Sequence, residues 1–80
     1  MVTSEVEIDA KAVSVETDEH SLRVMLADGR EISAPLLWFP RLLSATPEQR
    51  SHWRLIGHGI GIGWSEVDEH LSVAGLLRLR

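Results

Sequence analysis

Residues 45–64, ATPEQRSHWRLIGHGIGIGW, decide the fold. The first half opens as a short helix. Thr46 is a good N-cap, Pro47 suits the first helical position, and Gln49 completes a Thr-x-x-Gln capping box. The expected helix covers about 47–51. The second half then changes period. Trp53 to Ile56 reads as a strand with Trp53 and Leu55 on one side, and Gly57, His58 and Gly59 form a turn region. Ile60, Ile62 and Trp64 follow on one face of a return strand, with Gly59, Gly61 and Gly63 on the other. Glycines on one sheet face let a helix or the N-terminal segment approach closely or permit a bulge.

Upstream, Val13 and Val15 alternate with Ser14 and Glu16 as a first strand, and Thr17 to His20 supplies polar turn chemistry. Leu22, Val24 and Leu26 alternate with Arg23, Met25 and Ala27 as a half-buried second strand. Asp28-Gly29 then signals a hairpin, because both central residues of a type I′ turn need positive φ. Arg30 to Ala34 returns as a third strand with Ile32 facing in. From Pro35 to Leu43 the apolar residues are too dense for alternation and take helical spacings. Pro40 interrupts a long helix there, so a short helix or a turn that becomes helical at Pro40 is expected. After Trp64, residues 65–69 read as a loop. Ser72 is placed to cap a last helix through Leu77, with Arg78 and Arg80 suiting the negative end of the helix dipole.

The expected fold is therefore a single α+β domain spanning 1–80. A three-stranded meander (about 12–34), a helical crossover (about 36–51) and a second hairpin (about 53–64) build a small antiparallel sheet, with two or three short helices in all. Residues 1–10 read as an acidic, partly flexible lead-in. A chain of 80 residues buries only roughly 60–65% of its unfolded surface, so the core is thin. No cysteine is present to staple it. The 44% hydrophobic content is nevertheless that of a globular domain.

Charge narrows the partners. Residues 1–20 carry six acids against Lys11, a net of −5, whereas residues 21–80 hold seven arginines and six acids, a net of +1. No basic stripe neutralises phosphates, so direct nucleic-acid binding is not expected. Met1 to Ala10 has neither the basic nor the apolar region of a signal peptide, and no apolar run approaches the ~20 residues of a membrane span. A cytoplasmic setting is the expectation.

Catalytic and cofactor chemistry finds no constellation. The GHGIGIGW run lacks a phosphate loop's Gly-Lys-Ser/Thr ending, and its glycines alternate with strand-forming residues. His20, His52, His58 and His70 include no pair at zinc-ligand spacing, and Asp68-Glu69-His70 are adjacent residues that seldom converge on one ion. A capping or backbone-accepting role suits Asp68 or Glu69 better. No serine sits in a nucleophile elbow. No enzyme activity, cofactor or metal is expected. The aromatic set Trp38, Phe39, Trp53 and Trp64 exceeds what so thin a core can hide. Leu36, Leu37, Trp38 and Phe39 are four consecutive apolar residues that one short helix cannot turn wholly inward. They are the expected interaction site, for a protein partner or a homodimer.

The hairpin, the run PLLWFPRLLSATPEQR, the pattern W-x-L-I-G-x-G-I-G-I-x-W and the following D-E-x-L-S-V-x-G-L-L together resemble the small bacterial domains named domain of unknown function 2442. The resemblance covers about residues 8–77. It implies a compact α+β fold with a small antiparallel sheet. In some proteins such domains precede a helix-turn-helix; in others they stand beside a second small protein in a toxin–antitoxin-like arrangement. No helix-turn-helix pattern occurs in these residues, so DNA binding does not carry over, and the family supplies no catalytic residues to map. It implies a binding or regulatory module: an antitoxin-like member of a two-protein system, or a domain acting through a DNA-binding partner. A small-ligand or metal binder is the further alternative.

Overall fold

A computed structural model describes residues 9–78; the expected acidic lead-in lies, except for its last two residues, outside them. Strands β1 (Ala12–Thr17), β2 (Ser21–Leu26) and β3 (Glu31–Pro35) form an antiparallel meander in the order β1-β2-β3. Helices α1 (Pro40–Leu43) and α2 (Pro47–Ser51) cross to a second antiparallel sheet of β4 (Arg54–Ile56), β5 (Gly61–Trp64) and β6 (Glu69–Ser72), in that order. Helix α3 (Val73–Arg78) follows. The α+β class holds, built, among the described residues, from two three-stranded sheets and three short helices.

One apolar cluster joins the two sheets. Leu22, Val24 and Leu26 of β2 meet Leu36, Phe39 and Leu42 from the crossover, Ile62 and Trp64 of β5, and Val73 and Leu76 of α3. Trp64 is fully buried, and its indole N–H donates to the Arg50 carbonyl at 3.0 Å. Trp53 packs half-buried against the cluster while Trp38 stays 45% exposed. The three tryptophans thus divide among core, margin and surface.

Local sequence explains most elements. Thr46 Oγ1 accepts from the Gln49 N–H, and Gln49 Oε1 accepts from the Thr46 N–H, closing the expected capping box. Thr46→Ala should lower stability by about 1 kcal/mol, seen as a shifted urea midpoint at unchanged slope. A midpoint that does not move would remove this helix start from the stabilising contacts. Ser72 Oγ accepts from the Gly75 N–H at 2.9 Å and starts α3 as expected. Leu36–Trp38 form a 3-10 turn and the chain becomes α-helical at Pro40, whose missing N–H is harmless in a first turn.

Four expectations are corrected. Val13 does not share a face with Val15. The β1–β2 register shifts between Ala12 and Ser14, a bulge that buries Ala12 and Val15 and leaves Val13 52% exposed. At the first hairpin only Gly29 takes positive φ. The Gly29 N–H bonds the Leu26 carbonyl and the Leu26 N–H bonds the Arg30 carbonyl, so Ala27, Asp28 and Gly29 form a three-residue loop and not a type I′ turn. Ile60 is not beside Ile62; it is 61% exposed, because positive φ at Gly57, His58 and Gly59 turns the chain before β5 begins at Gly61. Lastly, the expected loop 65–69 is a 3-10 turn at Ser65–Val67, a left-handed Asp68 and the start of β6, which widens the expected hairpin to three strands.

Candidate functional site

The sequence singles out Leu36, Leu37, Trp38 and Phe39, and the local geometry divides them. A 3-10 turn has about three residues per turn, so positions i and i+3 share one side. Leu36 and Phe39 accordingly point into the core at 0% and 6% exposure, while Leu37 and Trp38 stand outward at 72% and 45%. Leu43, at the end of α1, is also exposed. Phe39 borders a 240 Å3 hollow whose other walls are His70, Leu71 and Ser72 of β6 and Gly75 and Leu76 of α3.

A second surface was not legible from the sequence. Pairing aligns Arg54 with Gly63 and Gly63 with His70, so the three stand in one row across the second sheet. Directly opposite residues share a face. The row lies on the face away from Ile62 and Trp64 and carries Arg54, His70 and, one pair along, Ile56 and Ser72. With no side chain at Gly63, its neighbours close over it. The Arg54 guanidinium carbon and the His70 ring lie 3.5 and 3.2 Å from where a Gly63 Cβ would stand, and Ile56 Cδ1 lies at 3.0 Å. A shallow trough of about 790 Å3 runs beside them, lined by all three strands and by the exposed Ile60. It contains no acid among its lining residues. Arg54 donates to the Ser65 hydroxyl and, among the described residues, pairs with no carboxylate. The nearby Glu69 turns its carboxylate back onto the His70 N–H at 2.9 Å.

The other polar groups are absorbed locally. The Arg23 guanidinium, 2.8 Å away, and the N–H groups of His20 and Ser21 hold the Asp18 carboxyl well below the usual carboxylate range. Arg30 also lowers the pKa of the Asp28 carboxyl, which accepts the Asp9 N–H as well. Arg41 contacts Asp68, and His52 contacts Glu66, tying down the turn before β6. Glu69 takes the backbone-accepting role expected for it or Asp68, whereas Ser72, not either acid, caps α3. A 550 Å3 cleft between β1 and α2 has the buried Arg50 in its lining and Glu16, Asp18 and Glu19 around it. All three Arg50 guanidinium nitrogens donate to main-chain carbonyls. Among the described residues no three His, Asp or Glu side chains gather into a metal-sized cluster, and no helix is long and apolar enough to cross a membrane.

These features meet a family pattern. The model for the family described as "Protein of unknown function (DUF2442)" matches residues 10–80. The chain belongs to this family. A DUF2442 domain thus accounts for nearly its whole length, in agreement with the resemblance seen in the sequence motifs. The chain is also similar to a protein of unknown function from Rhodospirillum rubrum ATCC 11170, whose crystal structure superposes with a TM-score of 0.73 at 26% identity, over 84% of this chain and 83% of that one. No curated protein matches. The fold is therefore shared and its working surface has to be read from this chain's own residues.

Proposed function

We propose that this DUF2442 protein is a non-catalytic, cytoplasmic protein-interaction module, the regulatory or antitoxin-like member of a two-protein system. It docks a partner protein through Leu37 and Trp38. One observation carries this reading: a 3-10 turn anchored in the core by Leu36 and Phe39 holds a leucine and a tryptophan outward at 72% and 45% exposure. An anchored turn fixes the geometry of its exposed side chains in advance, so little conformational entropy is lost on binding. Tryptophan is enriched among residues that dominate interface energetics. The net charge of −4 suits a protein partner better than a nucleic acid.

The test is affinity purification from the native cell with mass spectrometry, using the wild type and Trp38→Glu, together with sedimentation of both. Trp38 is partly exposed, so the substitution should leave the fold intact by circular dichroism. Capture of one co-encoded protein by the wild type, weakened about tenfold or more in Trp38→Glu, is the expected result. If Trp38→Glu retains the same partner at the same yield, the docking surface lies elsewhere. If the wild type instead sediments as a dimer that Trp38→Glu dissociates, the turn serves self-association.

A further inference from the structure

We infer that the trough on the second sheet is a carboxylate-recognising groove for an acidic, apolar-flanked segment of the partner protein; this rests on the interaction-module reading and adds the chemistry of what is bound. Two groups able to donate to an anion, the Arg54 guanidinium and the His70 imidazole, flank Gly63 in one cross-strand row and both line the trough, with Arg54 Cζ and His70 Cδ2 at 3.5 and 3.2 Å from where a Gly63 Cβ would stand. No acid lines the groove beside them, although the chain as a whole carries −4. Arg54 has a neutral hydroxyl for its partner, Ser65 Oγ, and its planar fork keeps further N–H groups for a carboxylate. Glycine at position 63 is what lets the two converge: a side chain there would occupy the space into which both lean.

The flanks specify more than a bare anion. Ile60 is 61% exposed at the groove's end, and Ile56 packs over the glycines along it. Apolar walls add nothing to the binding of a small hydrated anion but bury the apolar neighbours of an acidic residue in a peptide. The volume of about 790 Å3 lies within the ligand-cleft range. The groove also shares walls with a neighbouring hollow: His70, Leu71 and Ser72 line both it and the hollow beside Phe39.

Selection of displayed, randomised short peptides against the intact protein tests this without knowing the partner. The wild type should enrich peptides with Asp or Glu between apolar residues. A synthetic consensus peptide, titrated by amide chemical shifts, should perturb Gly61, Gly63 and His70. Arg54→Gln and His70→Gln, both at exposed positions, should each weaken it, Arg54→Gln by about tenfold, as should replacing the peptide's acid by glutamine. Enrichment without acids, or affinity unchanged in Arg54→Gln, would overturn the inference. So would sodium acetate saturating the same resonances as tightly as the peptide, which marks a bare anion site, or a self-association lost in Arg54→Gln, which makes a second copy the occupant. Trp38→Glu separates the two readings. If it abolishes partner capture while Arg54→Gln does not, the interaction reading stands and the groove falls. If acidic peptides still depend on Arg54 while Trp38→Glu captures normally, only the turn is wrong.

Discussion

Gly59→Ala should cost this domain about 2–5 kcal/mol, whereas the superficially similar Gly29→Ala should cost only about 1–2 kcal/mol. Both glycines have positive φ, +102° and +92°. At Gly29 a methyl group would meet nothing within 4 Å. At Gly59 it would run into the Ala12 carbonyl oxygen, with the Ala12 nitrogen at 3.1 Å and Lys11 Cβ at 3.2 Å. Main chain thus packs on main chain where the second sheet's turn touches the first residues of β1. Relief would require pulling β1 away from the second sheet, beside the bulge that buries Ala12. The unfavourable φ alone amounts to roughly 1–2 kcal/mol for a non-glycine residue. Overpacking that no rotamer can relieve adds about 1–3 kcal/mol. A domain of this size has only about 4–12 kcal/mol in total, so Gly59→Ala should lower the melting temperature by about 15 °C or more. Gly29→Ala bears the φ cost alone. Should thermal melts show the two variants equally stable, the close approach at Ala12 is not holding the sheets together.

That contact shows where sequence reading succeeds and where it stops. β2 was legible because Leu22, Val24 and Leu26 keep strict alternation and are all nearly inaccessible. The starts of α2 and α3 were legible because Thr46, Gln49 and Ser72 act within three residues of themselves. A close approach is present at Gly59, but in the turn before β5 and not on the sheet face expected for it, and it is residues 11–12 that come up against it. The β1 bulge was hidden because inserting one residue leaves the hydrophobic composition unchanged while exchanging faces. β6 was hidden because Glu69-His70-Leu71-Ser72 offers a single apolar residue, too few for a period. Of the candidate site, the Leu36–Phe39 run was visible as an apolar excess, but its division into anchors and exposed side chains depends on the three-residue turn. The Arg54–His70 pair had no local signal. Sixteen positions separate the two in the chain, and only the strand register through Gly63 brings them together.

Arg50 is the other residue whose weight the sequence concealed, and Arg50→Met should remove about 2–4 kcal/mol. Its position in the first helix after the Thr46 cap suggests an ordinary solvated arginine. Instead it is buried, at 9% exposure, and its guanidinium ties α2 to two other pieces of chain. Nε donates to the Leu42 carbonyl at 3.0 Å, Nη2 to the Ala45 carbonyl at 3.0 Å and Nη1 to the Asp18 carbonyl at 3.3 Å. The first two are carbonyls at the end of α1 and just beyond it; the Leu42 carbonyl also accepts the Ala45 N–H at 3.2 Å, so the Ala45 carbonyl leans on the guanidinium most. The third belongs to the β1–β2 turn. Methionine keeps much of the apolar stem but none of the donors. The Ala45 carbonyl, then left buried and unpaired, costs about 1–3 kcal/mol, and the Leu42 carbonyl, which keeps the Ala45 N–H, and the part-buried Asp18 carbonyl add less. Lysine retains the charge yet cannot span three divergent acceptors, so Arg50→Lys should recover less than half of the loss. Urea unfolding of the three proteins decides. A Met variant within about 1 kcal/mol of wild type would mean that water replaces the guanidinium at these carbonyls. Because α1 follows directly on the turn that presents Leu37 and Trp38, loosening Arg50 should also weaken partner capture near the melting temperature. Well below it, where α1 remains docked, capture should persist; that temperature dependence separates a scaffold residue from one that touches the partner.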